Sequence, residues 1–475
     1  MPLFLSALPV LAVIAALLAG ARSLHAALAG VVLAVLGIAV AFPLTAQEAL
    51  GATKIWLPVL IEVLLIVGGG LLLSEVLRAA GAQKALAQWI LGQTGNGVGA
   101  VLLVVHGVTP FAESLTGFGI GITIGIPLLI HCGLPARKVA VIGLLGLCAV
   151  PWGSMGPGTL IAATMAGLPL DDLGLASAYV SVIPFVLTGV VAAWLASAPG
   201  ERFSAVLQGI FSGLVLTVAV SFFNATVGTA PAGALGALVV IVMFLMRGRF
   251  SQRAATLAST HEPRVALEPV GQRGLLAYAV LLAGVLVTGV IVKALKLPAA
   301  THMLASPALW LFVAAAFFAR GVPSSDSLQR AGRSWSQVAP VTGMFIVLGV
   351  LMAVSGMATQ LAHALAAGGR WYLFAAPFVG ALGGFVTGSN TGANAMFAAT
   401  QAEIAQALGV SVLPFMAVHN VSAALLLMGS PGKIEMACHL APAEALAHRA
   451  WIQRAVLTTD LAAVTVMALL NVLIL

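Results

Sequence analysis

An all-α polytopic membrane protein is the fold class this sequence predicts, and three observations predict it. Of its 475 residues, 61% are hydrophobic and only 7% are charged, whereas a soluble domain carries about 25% charged residues. The mean hydropathy is +1.11. Apolar runs of about 20 residues, long enough to span a bilayer as a helix, recur along the chain. The short alternating segments of an outer-membrane barrel are absent.

Taken in order, the apolar runs predict about twelve continuous spans, near 4–20, 25–42, 55–76, 139–165, 175–196, 205–223, 232–246, 274–294, 303–320, 337–358, 412–438 and 450–473. The first has no basic segment before it, so it reads as a retained helix and not a cleaved signal. Two further segments, about 99–133 and 372–409, are long and apolar but broken in the middle by glycine and polar residues. Each reads as a re-entrant hairpin of two half-length arms. Broken backbone at membrane depth is tolerated only where it is buried in protein or lines a water-filled cavity. Cys132, Cys148 and Cys438 are scattered through apolar sequence with neither metal nor disulfide spacing, and read as small buried hydrophobes.

The net charge of +7 comes from residues lying between the apolar runs. It therefore speaks to orientation by the positive-inside rule and predicts no nucleic-acid partner. The polar loop 247–273 holds five arginines against Glu262 and Glu268, which places it in the cytoplasm. Arg22, Arg78, Lys84, Arg137, Lys138, Arg202, Arg320, Arg330 and Arg333 then fall on the same side, and both termini face the periplasm of an inner membrane. Lys54, Lys293, Lys296 and Arg370 are the exceptions.

The chain also repeats itself. Ser114, Thr116 and Gly117 recur 275 positions later as Ser389, Thr391 and Gly392. Gly107, Gly133, Gly153, Ser154 and Gly156 recur after 276 positions as Gly383, Gly409, Gly429, Ser430 and Gly432. The domains are then a first repeat at 1–196, a two-span linker with the basic loop at 197–276, and a second, inverted repeat at 277–475. Inverted repeats with breaks at matching positions point to a transport site near the bilayer midplane.

The first hairpin tip reads Phe111-Ala112-Glu113-Ser114-Leu115-Thr116-Gly117-Phe118-Gly119. The second reads Gly388-Ser389-Asn390-Thr391-Gly392-Ala393-Asn394. Hydroxyls and glycines at a helix break, with free N–H groups and a positive dipole end, suit an anion and need no buried arginine. A second matched pair, Trp152-Gly153-Ser154-Met155-Gly156-Pro157-Gly158 and Met428-Gly429-Ser430-Pro431-Gly432-Lys433, reads as unwound backbone. The candidate substrate site is therefore Ser114, Thr116, Gly117, Ser154, Ser389, Asn390, Thr391, Asn394, Ser430 and Lys433. Glu113 is a proton carrier or a helix cap. His106 and His419 are proton relays or satisfied structural histidines. Lys433 meets a polar end of the substrate, pairs with Glu435, or extends to the interface. Glu62, Glu403 and Asp460 read as facing polar interiors. Phosphate-loop, dinucleotide and zinc signatures are missing. The favoured function is secondary transport of a small organic carboxylate, with no cofactor. A membrane-embedded enzyme or a channel subunit of a larger system is the reading from another class. Membrane lipid is the expected surrounding, and a homo-oligomer is open.

These stretches resemble the bacterial L-lactate permease family. Phe111 to Gly119 is similar to its F-L-E-G-A-A-G-F-G, Gly153-Ser154-Met155-Gly156 to its G-A-M-G, and Gly388 to Asn394 to its G-S-[DN]-T-x-[SA]-N. Gln401 and Ser430-Pro431 also fall where that family has Gln and Ser-Pro. The clear resemblance covers roughly 110–165 and 380–440. It implies a proton-coupled symporter of lactate, glycolate and similar 2-hydroxy monocarboxylates, with a scaffold domain and a moving transport domain. Ser389-Asn390-Thr391 also looks like the Ser-Asn-Thr motif of sodium-coupled di- and tricarboxylate carriers, so the coupling ion is H+ with Na+ as the alternative. The chain departs from the family where Ser114-Leu115-Thr116 replaces Gly-Ala-Ala, and where Lys433 lies near a usual Gln.

Overall fold

The computed structural model describes residues 2–94, 97–256, 266–320 and 325–475. Among these residues every regular element is helical. The first half runs α1 (Pro2–Leu18), α2 (Ser23–Val40), α3 (Ala46–Ala79), α4 (Ala82–Thr94), α5 (Val98–Leu103), α6 (Thr109–Thr116), α7 (Ile120–Ile130), α8 (Ala136–Leu145), α9 (Pro157–Met165), α10 (Leu170–Val180) and α11 (Val182–Ala196). Two long helices follow, α12 (Arg202–Val227) and α13 (Thr229–Thr256). The second half runs α14 (Pro269–Ala294), α15 (Pro307–Ala319), α16 (Ser325–Val354), α17 (Met357–Ala366), α18 (Arg370–Thr387), α19 (Asn390–Ala407), α20 (Val412–Leu426), α21 (Pro431–Leu440) and α22 (Arg449–Ile474).

The chain is a multi-pass membrane protein. Among the described residues ten helical runs are long and apolar enough to cross a membrane, or eleven if α9 and α10, bent by 113°, count as one span. Nine of the twelve expected continuous spans overlap such a run, and the tenth run, Val98–Thr116, lies in the first hairpin. The expected spans at 4–20 and 175–196 yield helices of at most 17 and 15 residues. The run at 303–320 yields only the 13-residue α15. The runs at 139–165 and 412–438 are interrupted, because their Gly, Ser and Pro residues end one helix and start another. Three of the four hairpin arms are longer than half-length; only α7, with 11 residues, is short. One continuous helical run covers Val98–Thr116, and α18 and α19 have 18 residues each, about 27 Å of helix. The loop expected at 247–273 begins later, since α13 continues to Thr256. Residues 257–265 of that loop lie outside the described residues.

The helices of the two halves come in the same order at a spacing close to 275. The long helices α3 and α16 correspond and pack against each other. Their neighbours are exchanged: α2 packs on α16 as α15 packs on α3, and α1 packs on α17 as α14 packs on α4. Both long helices touch a hairpin through glycine. A Cβ at Gly70 would stand 2.6 Å from the Thr116 carbonyl oxygen, and one at Gly349 would overlap the Ala395 carbonyl oxygen. Backbone can approach that closely only where there is no side chain.

Candidate functional site

Each hairpin breaks at a left-handed glycine. In the first, α6 ends at Gly117 (φ 73°), and α7 starts after Gly119 (φ 83°). Glu113 reaches forward across this gap. Its Oε1 accepts from Gly119 N at 2.9 Å, and its Oε2 accepts from Gly121 N at 3.0 Å. The carboxylate thereby satisfies amides at the start of α7 that no helical carbonyl can reach. In the second hairpin α18 ends at Gly388 (φ 63°). Ser389 caps α19, its Oγ accepting from Gly392 N at 3.2 Å.

The two breaks are not in the register that the sequence repeat suggests. Gly117 and Gly388 are 271 positions apart, four fewer than the 275 that pairs the hydroxyls. Four residues is about one helical turn. Ser389 and Thr391 consequently lie beyond their break, while Ser114 and Thr116 lie before theirs, inside α6.

The unwound stretches follow the same logic. At 153–156 the backbone leaves helical geometry, with Ser154 (φ 52°), Met155 (φ 63°) and Gly156 (φ 84°) left-handed before Pro157 starts α9. After α20 a short 3-10 turn, Leu427–Gly429, leads to Ser430 in extended conformation, and Pro431 starts α21. Proline at the first helical position loses an N–H that would be unpaired anyway.

These four segments enclose one cavity of about 70 Å³. Gly117 and Phe118 of the first tip line it beside Glu113. The first break contributes Val150, Gly153, Ser154, Pro157 and Gly158; the second tip contributes Gly388 to Thr391; the second break contributes Leu427 and Lys433. The halves interlock across it. Lys433 Nζ donates to Phe118 O at 2.8 Å, tying the second break to the first tip. Asn394 Nδ2 donates to Gly158 O at 3.1 Å, tying the second tip to the first break.

Gly117, Ser154, Ser389, Asn390, Thr391, Lys433 and Glu113 thus meet at this cavity. The other candidates lie elsewhere. Ser114 packs against Gly233 of α13, and Thr116 Oγ1 donates to Ala112 O at 2.6 Å. Asn394 sits behind the second tip, and Ser430 Oγ, without a partner, lies behind Gly388. His106 lies in the π turn Val104–Val108, its Nδ1 2.8 Å from Ser212 Oγ and its Nε2 3.3 Å from Thr188 Oγ1. His419 is buried against Gly380 with neither nitrogen bonded. Glu435 pairs with His439 and Arg449 and not with Lys433. Lys433 itself is buried and does not extend to an interface.

Sequence reasoning missed Asn420. Its Oδ1 accepts from Asn390 Nδ2 (3.2 Å) and Asn394 Nδ2 (2.9 Å), and its Nδ2 donates to Thr159 Oγ1 and Ser177 Oγ, both at 3.1 Å. One amide so joins α19, α9, α10 and α20. A polar residue in the middle of an apolar span, next to His419, was the available signal.

Chemically, the cavity gathers groups that hold an anion. The N-termini of α9 and α19 open on it, Lys433 brings an ammonium, and Ser154 Oγ is buried without a partner. The profile of the L-lactate permease family matches residues 3–315 and 285–474.

The chain belongs to the L-lactate permease family.

Relatives in that family include the L-lactate permease of Escherichia coli strain K12, 39% identical over 117 residues, 24% of this chain and 21% of that protein. The L-lactate permease of Streptococcus iniae is 24% identical over 365 residues, 70% of this chain and 75% of that protein. The glycolate permease GlcA of Escherichia coli strain K12 is 38% identical over 96 residues, 20% of this chain and 17% of that protein. The match spans about a fifth of the length of the Escherichia coli lactate relative.

Proposed function

We propose that this protein is a secondary transporter that carries a small carboxylate across the inner membrane in symport with a proton. Lactate and glycolate are the first substrates to test, from the names of its relatives. The observation that carries the reading is the cavity between the two tips and the two breaks, lined by Lys433, by an unpartnered hydroxyl and by the N-termini of two helices. A carboxylate seated there meets charge-assisted hydrogen bonds. Glu113 is already engaged by two backbone amides, whereas the Lys433 ammonium has two donors beyond the one given to Phe118 O.

Uptake of labelled L-lactate and glycolate by the purified protein alone in liposomes tests this. Accumulation driven by an inside-alkaline pH gradient supports it. Accumulation that requires a sodium gradient replaces the proton with sodium. Absence of uptake without an added partner favours a channel subunit, and product formation without translocation favours an enzyme. Periplasmic termini belong to the same proposal.

A further inference from the structure

Asp460, in the middle of α22, is fully buried, and neither carboxyl oxygen completes a hydrogen bond. One turn away on the same helix stand Val456, Ala463 and Val464, all buried in one hydrophobic core. The carboxyl lies directly behind the second break. A Cβ placed at Gly429 would stand 3.6 Å from Asp460 Oδ2, and the Gly429 N–H faces the carboxyl without completing a hydrogen bond to it. Gln453, on the same helix, donates to Gly429 O at 3.4 Å. Leu427 in this break and Lys433 in the first turn of α21 line the cavity.

A carboxylate buried without a partner is costly, and so is an unpaired neutral carboxyl, though far less. The site therefore calls for a cation, and the room at hand suits a proton. Among the described residues no neighbouring charge takes that role. On the elements packed against α22, Arg137 lies over the Trp451 ring and Lys138 donates to Leu195 O. Lys433 donates to Phe118 O, and Glu435 pairs with His439 and Arg449. Arg370, Glu444, His448 and Arg454 are exposed, and His419 packs against Gly380.

We infer that Asp460 is the proton-binding group of the transporter, coupled to the substrate cavity through the unwound stretch between α20 and α21. Protonation removes a buried charge that no side chain balances and leaves the Gly429 backbone in place. Loss of the proton places a bare charge against Gly429 and shifts the stretch that carries Lys433. Proton and substrate then favour each other's binding by the same factor. This rests on the proton-symport reading above.

The test begins with wild-type protein in liposomes. No proton-driven accumulation there removes the symport reading and this inference with it. Where the wild type accumulates substrate, its apparent affinity is expected to change by up to about tenfold per pH unit across the titration. Asp460→Asn is expected to flatten that dependence and to abolish accumulation driven by the pH gradient. Asp460→Glu, which keeps a titrating group, restores both with a displaced midpoint. Accumulation and pH dependence in Asp460→Asn equal to the wild type overturn the inference about Asp460 alone. Should Asp460→Asn fail to fold, infrared difference spectra of wild type and Asp460→Glu decide. A carboxylic-acid band that responds to substrate and moves between the two supports the inference; an identical band in both, or none, overturns it.

Discussion

Ser154 holds a left-handed backbone that glycine would adopt without penalty, and Phe118 (φ 59°) at the cavity and Met155 (φ 63°) in the same unwound stretch share it. Outside the site only Lys296 (φ 47°) does so among the described residues. Such conformations cost of order 1–3 kcal/mol each and persist where the surroundings impose them. Ser154→Gly is therefore expected to raise thermal stability, by about 1 kcal/mol at most. It also removes the unpartnered hydroxyl and should weaken carboxylate binding about tenfold, the loss of about 1.5 kcal/mol expected for one hydrogen bond to a charged group. Melting curves with and without substrate read both effects; unchanged binding removes Ser154 from the substrate shell. Lys433 allows a second residue-level prediction. Lys433→Gln keeps a donor for Phe118 O but deletes the charge. Preference should shift toward simple monocarboxylates such as lactate and glycolate and away from more polar acids. Competition assays that rank a panel of carboxylates identically in both proteins eliminate Lys433 as a specificity residue.

At the scale of elements, the site depends on helices that touch through backbone. A Cβ at Gly349 meets the Ala395 carbonyl oxygen, a group that cannot swing aside. Gly349→Ala must push α16 away from α19 and should cost about 1–3 kcal/mol. Gly289, inside α14, has nothing within 4 Å of its would-be Cβ. Gly289→Ala should leave the protein as stable as before or slightly more so. Equal melting temperatures for the two variants refute this account of the α16–α19 contact. The hairpins themselves were legible in the sequence, because glycine, hydroxyl and proline clusters interrupt helices locally. Their register was not. The start of α7 is fixed by Glu113 reaching six and eight residues ahead, and nothing in a repeat of hydroxyls reveals that reach. The consequence is specific: the matching Ser and Thr fall one turn apart relative to their breaks, and only Ser389 and Thr391 reach the cavity.

For the whole molecule, orientation is the open prediction. The arginines of 247–273 predict that the connection between α13 and α14 lies in the cytoplasm. A cysteine introduced as Ala255→Cys, in protein lacking Cys132, Cys148 and Cys438, should react with an impermeant thiol reagent only after the cells are permeabilised. Labelling of intact cells reverses the orientation and moves the termini to the other side. Exchanged packing around α3 and α16 gives the molecule its two-halved plan, with each tip resting on the break of the other half. That plan lets a disturbance at one break, such as a charge at Asp460, be felt at the tip that Lys433 holds.

By itself the sequence determined the membrane class, the positions of the two broken hairpins and two unwound stretches, and the family to which the chain belongs. Hydropathy and helix-breaking residues act over a turn or two, so a linear reading recovers them. Only the tertiary structure decided which polar residues share the cavity. Lys433 finds Phe118 across 315 positions, and Asn420 finds Thr159 across 261. Asp460 was visible in the sequence only as an acid within an apolar span. That its oxygens complete no hydrogen bond among the described residues and stand behind Gly429 follows from how α22 packs, because a side chain's partners are set by the helices brought against it and not by its neighbours in the chain.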